Sequence, residues 1–480
     1  METSAANAPT SERAFSCAVL AACLVAKLGV LLLDDRVRVF MGDSATYLWS
    51  AVSLQIPSDR SFTYPLLIRF TAGASGSIMT LLWVQSLCGA ATSLMVYGIL
   101  RRAFAVLPWN AAVAAMLVAL DPSQLFYERM VMTESVSTCM LVASLCAAFA
   151  YLRHRHARYL CLCIVLGLLL ASLRVGLVPF ALALGPVAVL LAYRNKSISA
   201  CARPFLLAMV ATWACHSAYQ HAYGALTHSH PDYIHDGGFF RLGLVAPLVT
   251  HASFEGTGLD PSMLDEVRIP LDDPHLREAQ IWQAGGLIDV LKQRGGPSAY
   301  RIATRLASNA IKNDPFGVVR LGLQTLREYF NDNYYHVRLM SDLASDRKAD
   351  KITIDLLKTH YDYDATDVAQ TPSPVFDYFA GTSEWLVGCL FSLAPLSMLV
   401  IATCRRRHTK EGVLLGLLGI GLVVGQILCS HIISFRYLHP FPVVEIMCIA
   451  IVVNAIVVAR HRKLEVTRTY WTLRADVQTP

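Results

Sequence analysis

Charge is scarce in this chain. Asp, Glu, Lys and Arg make up 16% of its 480 residues, against about 25% in soluble globular proteins. With 55% hydrophobic residues and a mean hydropathy of +0.45, that scarcity excludes a soluble domain and points to an integral membrane protein. Cysteine is missing where a disulfide framework would need it. The 13 cysteines fall in or beside apolar runs, singly or as close pairs without zinc-ligand spacing, and none lies between residues 223 and 382, so neither disulfides nor a zinc site are expected. A nucleotide-binding fingerprint is also absent. "GTGLDPS" and the Gly-Gly pairs at 237, 285 and 295 are turn signals, because none sits between a strand and a helix. No fixed-period repeat and no low-complexity tract is present. The net charge of +6 gathers in short clusters between apolar runs, a pattern of membrane topology rather than of nucleic-acid binding.

What is abundant is apolar sequence in long runs. Ten of them, beginning near residues 14, 78, 109, 130, 159, 177, 204, 384, 411 and 438, approach the roughly 20 residues that a membrane helix needs. The first is read as an uncleaved helix, since its run of about 19 residues exceeds a signal-peptide core. The run near 109 is short, and "DPSQLFYE" must complete or cap it. Basic clusters at 101–102, 153–158, 194–196, 404–410 and 459–463 fall on one side of a ten-helix topology. By the positive-inside rule that side is cytoplasmic. The expectation is therefore an all-α polytopic protein of a bacterial inner (plasma) membrane with both termini cytoplasmic. It comprises an N-terminal membrane module (1–222) with a first outer loop at 34–77, an extracytoplasmic segment (223–382), a three-helix C-terminal module (383–463) and a cytoplasmic tail (464–480). The first outer loop departs from the charge rule by carrying Arg36, Arg38, Arg60 and Arg69. Within the long segment, residues 297–330 alternate basic and apolar residues at helical spacing, with a break at Asp314-Pro315. Two amphipathic helices lying on the outer membrane face, or two packed helices of a small domain, both account for that pattern.

In this topology Asp43, Glu128, Glu134, Arg174 and Arg436 all fall at the outer membrane boundary. A charge at the membrane is a functional-site hypothesis by default, set against interfacial snorkelling or helix capping. A carboxylate there can take a proton from an acceptor hydroxyl or amine. Arginines there can hold a phosphate through bidentate charge-assisted hydrogen bonds. A transferase that uses a lipid-phosphate-linked sugar needs both groups.

The order of several short motifs resembles the GT-C class of integral-membrane glycosyltransferases, in particular the protein mannosyltransferase and aminoarabinose transferase group (glycosyltransferase family 39-like). They are "GDSATYL", "FTYPLLIRF", "DPSQLFYERMVMTESVSTCMLVASL", "GLLLASLRVGLVPFALAL", "NDPFGVVRLGLQTLREYF" and "SFRYLHPFPVVEI". The resemblance covers most of the chain as an architecture. It implies a polyprenyl-phosphate sugar donor, an acceptor that is a lipid, a glycan or a protein, Asp43 as catalytic base and Glu134 as the second acidic group. It further implies Arg174, Arg436 and Tyr437 at the donor phosphate, and Tyr64, Arg69 and Glu128 as possible substrate contacts. Relatives often carry two adjacent carboxylates in the first loop, whereas Ser44 follows Asp43 here, so a divalent metal is an open part of the expectation. A second metal candidate is "THSHPDYIHD" at 227–236, whose irregular histidine spacing suits a solvated or interfacial loop better. The competing functions are a transporter or lipid flippase and a surface-polysaccharide polymerase or ligase. A transporter would be expected to show matched, broken helices in paired repeats, which the sequence lacks.

Overall fold

A computed structural model describes residues 8–60, 62–343, 349–366 and 373–477. The chain enters through α1 (Ala8–Leu33), then crosses a loop containing the short helices α2 (Met41–Ser53) and α3 (Thr63–Ile68). The bundle continues with α4 (Met79–Arg102), α5 (Pro108–Ala119), α6 (Pro122–Tyr127), α7 (Glu134–His154), α8 (Ala157–Leu173), α9 (Val178–Tyr193) and α10 (Ile198–Thr227). The long polar segment holds α11 (Gly237–Leu244), α12 (Arg277–Trp282), α13 (Leu287–Gly295), α14 (Ala299–Asn313), α15 (Pro315–Glu328), α16 (Asp332–Asp342), α17 (Lys351–His360) and α18 (Pro374–Thr382). It is followed by α19 (Glu384–Thr403), α20 (Thr409–Cys429), α21 (Phe435–Leu438) and α22 (Phe441–Val477). Among the described residues, the only β-type pairing is an isolated bridge between Arg38 and Met130.

Eight helices of the described residues are long and apolar enough to cross a membrane, and α5 and α8 are shorter apolar helices. These ten elements coincide with the ten apolar runs of the sequence, and the chain is an all-α polytopic membrane protein. The short run near 109 ends as a capped helix. Asp121 turns the chain and accepts the Gln124 N–H at 2.8 Å, starting α6.

The basic clusters at 101–102, 153–158, 194–196 and 404–410 meet at one end of the bundle. Arg153 donates to the Arg102 carbonyl at 3.5 Å, Arg155 and Lys410 both donate to the Ala192 carbonyl (3.0 and 3.1 Å), and His408 lies against Phe104. Glu134 opens α7 and Arg153 closes it, so the two ends of the bundle stand about 30 Å apart at 1.5 Å per residue.

The long polar segment divides in its packing. Its first part builds a core of its own around Leu242, Leu287, Leu291, Leu306 and Leu321, whereas Tyr329, Tyr335, Leu357, Tyr361 and Phe379 join the core of the membrane bundle. The two helices read between 297 and 330 are both present, with Asp314 capping α15 through the Gly317 N–H at 2.7 Å. They share the small core, to which α15 gives Leu321, but α15 reaches the membrane bundle as well. α14 turns Ile302, Leu306 and Ala310 into the small core, and α15 lies against the membrane helix α20. Gly322 permits that approach, since a Cβ there would stand 1.9 Å from the Ile427 carbonyl oxygen.

Candidate functional site

The first loop is fixed to the start of α7 by backbone. Arg38 N–H donates to the Arg129 carbonyl (2.8 Å) and Val131 N–H to the Arg38 carbonyl (2.9 Å). Ser44 completes the joint. Its fully buried hydroxyl accepts the Phe40 N–H at 2.7 Å and donates to the Val131 carbonyl at 3.0 Å. A carboxylate at this position would face the Val131 carbonyl oxygen without a proton to offer. Asp43, in the first turn of α2, is thereby held close to Glu134 at the first turn of α7.

The remaining groups arrive from two chain breaks. Arg174 caps the end of α8 in extended conformation, φ −144° and ψ 102°, its N–H closing the last helical hydrogen bond to the Leu170 carbonyl at 2.9 Å. Its Nη2 donates to the Arg436 carbonyl at 2.8 Å. Arg436 sits on the one-turn helix α21 and donates from Nη1 to Asp43 Oδ2 at 2.8 Å, its guanidinium lying over the rings of Phe40 and Tyr437. Arg60 binds the other Asp43 oxygen and also Asp59. Glu134 and Arg174 form a looser ion pair at 3.6 Å. Arg174 Nη1 and Glu134 Oε2, both buried, have no hydrogen-bond partner. Unpaired charge-bearing atoms in a buried site are costly, so this pair is poised for a third, ionic or hydrogen-bonding group.

All of these side chains line one cavity of about 900 Å³ at the end of the bundle opposite the basic clusters. Asp43, Glu134, Arg60, Arg174, Arg436 and Tyr437 form its polar floor, while Val178, Phe180, Leu182, Met209, Trp213 and Leu422 give it an apolar flank between membrane helices. Asp232, Tyr233 and His216 line a further wall.

Burial alone would raise the Asp43 carboxyl, but Arg436 and Arg60 outweigh it and hold Asp43 below its ordinary value. Arg60 loses by burial and gains more from Asp43 and Asp59, so its guanidinium is held above the usual value. His431, also in the cavity wall, is pushed down to about 3 by burial and by Arg277, Arg436 and Arg338. It is therefore neutral at physiological pH.

Behind the site, Asp342 of α16 accepts from the Ser434 hydroxyl (2.8 Å) and the Phe435 N–H (2.5 Å), the two residues that lead into Arg436. Burial pushes its carboxyl up to about 6, against the pull of Arg436 and those hydrogen bonds. Tyr329 holds the same strand of chain, accepting the Ser434 N–H and donating to the Ser434 carbonyl, each at 3.2 Å.

Three sequence-predicted residues stand elsewhere. Tyr64 is fully buried and donates to Gln85 at 2.8 Å. Arg69 binds the Ala51 and Val52 carbonyls at the end of α2. Glu128 lies inside the bundle, paired with Lys27 at 2.6 Å and hydrogen-bonded to Gln124 at 2.9 Å. None of the three lines the cavity. Conversely, Arg60 was visible only as one of four irregular loop arginines, and Asp342 and His431 carried no motif at all. The polar residues of 227–236 are engaged elsewhere: His230 and His235 both stack on Tyr300, and Asp236 accepts the Ser58 hydroxyl at 3.0 Å. Among the described residues, no three His, Cys, Asp or Glu side chains converge as metal ligands. The donor set at Asp43 does not fit a divalent cation, because both carboxylate oxygens already face guanidiniums.

Fold and cavity together define a polytopic membrane protein with an ionic site at one end of its helix bundle. No family model and no curated protein matches the chain. Among solved structures it is similar to the crystal structure of ArnT from Cupriavidus metallidurans bound to undecaprenyl phosphate, with 15% identity and a TM-score of 0.31, over 92% of this chain and 78% of that chain.

Proposed function

We propose that the protein is a membrane glycosyltransferase that moves a sugar from a polyprenyl-phosphate donor to an acceptor hydroxyl or amine on the extracytoplasmic face. The observation that carries this reading is the gathering of Arg60, Arg174 and Arg436 with Asp43 and Glu134 in one cavity with an apolar flank, where Arg174 Nη1 and Glu134 Oε2 have no hydrogen-bond partner. The basic clusters at the opposite end support a cytoplasmic assignment for that end by the positive-inside rule. The cavity then opens outward, on the side where lipid-linked sugars are used.

Under this reading the isoprenoid lies along the flank formed by Phe180, Leu182 and Leu422, and the phosphate lies between Arg174 and Arg436. The phosphate competes with Asp43 for Arg436, which loosens the ion pair and raises the basicity of Asp43 where the acceptor proton must go. The acceptor heteroatom attacks the anomeric carbon and its proton passes to Asp43. The bond from the anomeric carbon to the phosphate oxygen breaks, and polyprenyl phosphate leaves. Glu134 orients the acceptor or the Asp43 carboxyl, and Arg60 keeps Asp43 ionised until the donor binds.

Binding of polyprenyl phosphate to the purified protein tests the donor assignment. Arg174→Gln is expected to weaken binding about tenfold or more, the scale of a lost charge-assisted hydrogen bond, with thermal stability retained. Equal binding by wild type and by both Arg174→Gln and Arg436→Gln would remove the arginines from donor recognition.

A further inference from the structure

Helix α15 divides its surface between two neighbours of different kinds. One side faces protein: Gly322 meets the Ile427 backbone near the outer end of α20, and Phe330, just past the helix, packs at a tilt against Phe391 of α19 with ring centroids 4.9 Å apart. Both contacts are to membrane-crossing helices, so α15 lies at the level where those helices leave the bilayer. The opposite side is bare. Phe316 and Leu323, seven residues apart, are 81% and 53% exposed, with Val319 between them. Arg320, Gln324 and Arg327 run alongside as an exposed polar row. These two rows enclose a shallow groove of about 420 Å³.

Exposed phenylalanine and leucine placed at a membrane surface gain from burial among headgroups and first acyl carbons, at roughly 25 cal/mol per Å². The cations select the occupant. Arg327 is exposed, Arg320 shares its charge with Asp314 at 3.0 Å, and the acid of the same helix, Glu328, is buried and turned away to His275. Cationic and apolar rows at the same depth complement an anionic amphiphile. We propose that α15 is an interfacial docking helix for anionic phospholipid, with acyl carbon on Phe316 and Leu323 and the headgroup phosphate on Arg320 and Arg327. The groove is separate from the ionic cavity, sharing none of its lining residues, and the proposal stands independently of the glycosyltransferase reading.

Native mass spectrometry of the full chain released from nanodiscs of mixed phosphatidylcholine and phosphatidylglycerol tests it. Wild type should retain phosphatidylglycerol in preference to phosphatidylcholine. The double variant R320Q/R327Q should lose that preference by about tenfold or more, as expected for two arginines near an anionic surface, while its Tm in pure phosphatidylcholine is unchanged. F316S/L323S should lower retention of both lipids. Undiminished phosphatidylglycerol preference in R320Q/R327Q would overturn the proposal. So would a wild-type dimer that F316S/L323S converts to monomer, since a second copy would then cover the face.

Discussion

Asp43 is ionised because Arg436 and Arg60 more than offset its burial. Its folded value lies below its unfolded one, so the stability it contributes is present above the ordinary carboxylate range and is lost only as pH falls through the depressed folded value. A pH inflection near neutrality therefore has another source. Asp342, raised to about 6, supplies one. As pH falls through 6 the folded protein takes up this proton before the unfolded chain would, so the group's effect on stability becomes more favourable. Its hold on Ser434 and Phe435 weakens at the same time, and with it the placement of Arg436. Wild-type turnover should fall between pH 7 and 5 with an inflection near 6, and D342N should flatten that inflection at lower overall activity; an unchanged profile in D342N would detach Asp342 from the site. Glu128 has a different part. The Lys27–Glu128 pair is buried inside the bundle, and removing one partner leaves an uncompensated charge at a cost of about 3–5 kcal/mol. K27M should thus lower Tm markedly in detergent, and K27M/E128Q should recover most of the loss. The sequence held the clue to this pair, a lysine within the first apolar run. It held no clue to the pairing, because the two residues lie far apart along the chain and only the packing of α1 against α4 and α5 brings them together.

At the scale of elements, helix periodicity and hydropathy made the ten apolar helices readable, since each follows from length and composition alone. The break at Asp314-Pro315 was equally readable, because a proline that follows an acidic cap starts a helix. The surroundings of α14 and α15 were not. Both carry the same alternation of basic and apolar residues, and only tertiary contacts seat α14 in the small core and set α15 between that core and α20. Gly322 marks the difference. Gly322→Val would drive a side chain into the Ile427 carbonyl, and overpacking of this kind costs roughly 1–3 kcal/mol. A lower Tm, with looser protection of α15 in hydrogen exchange, is the expected result; wild-type behaviour would show that α15 is not seated on α20 through this residue. The same logic separates the candidate site residues. Asp43, Glu134, Arg174 and Arg436 lie beside helix ends or breaks, where a charge has reason to be, whereas Arg60 gains its place only when the first loop folds back over α2.

Across the whole molecule, an ionic cavity stands at one end of the bundle and basic clusters stand at the other. Tags at the two termini should both be reached from the cytoplasmic side in sealed vesicles of known orientation, and protection of either one would break the topology. Purified protein incubated with a polyprenyl-phosphate sugar and an acceptor-containing membrane extract should release polyprenyl phosphate. D43N should lower that release by about 100- to 10,000-fold, the range of positioned general-base catalysis, with the variant folded as judged by Tm. Release by D43N at the wild-type rate would contradict the account.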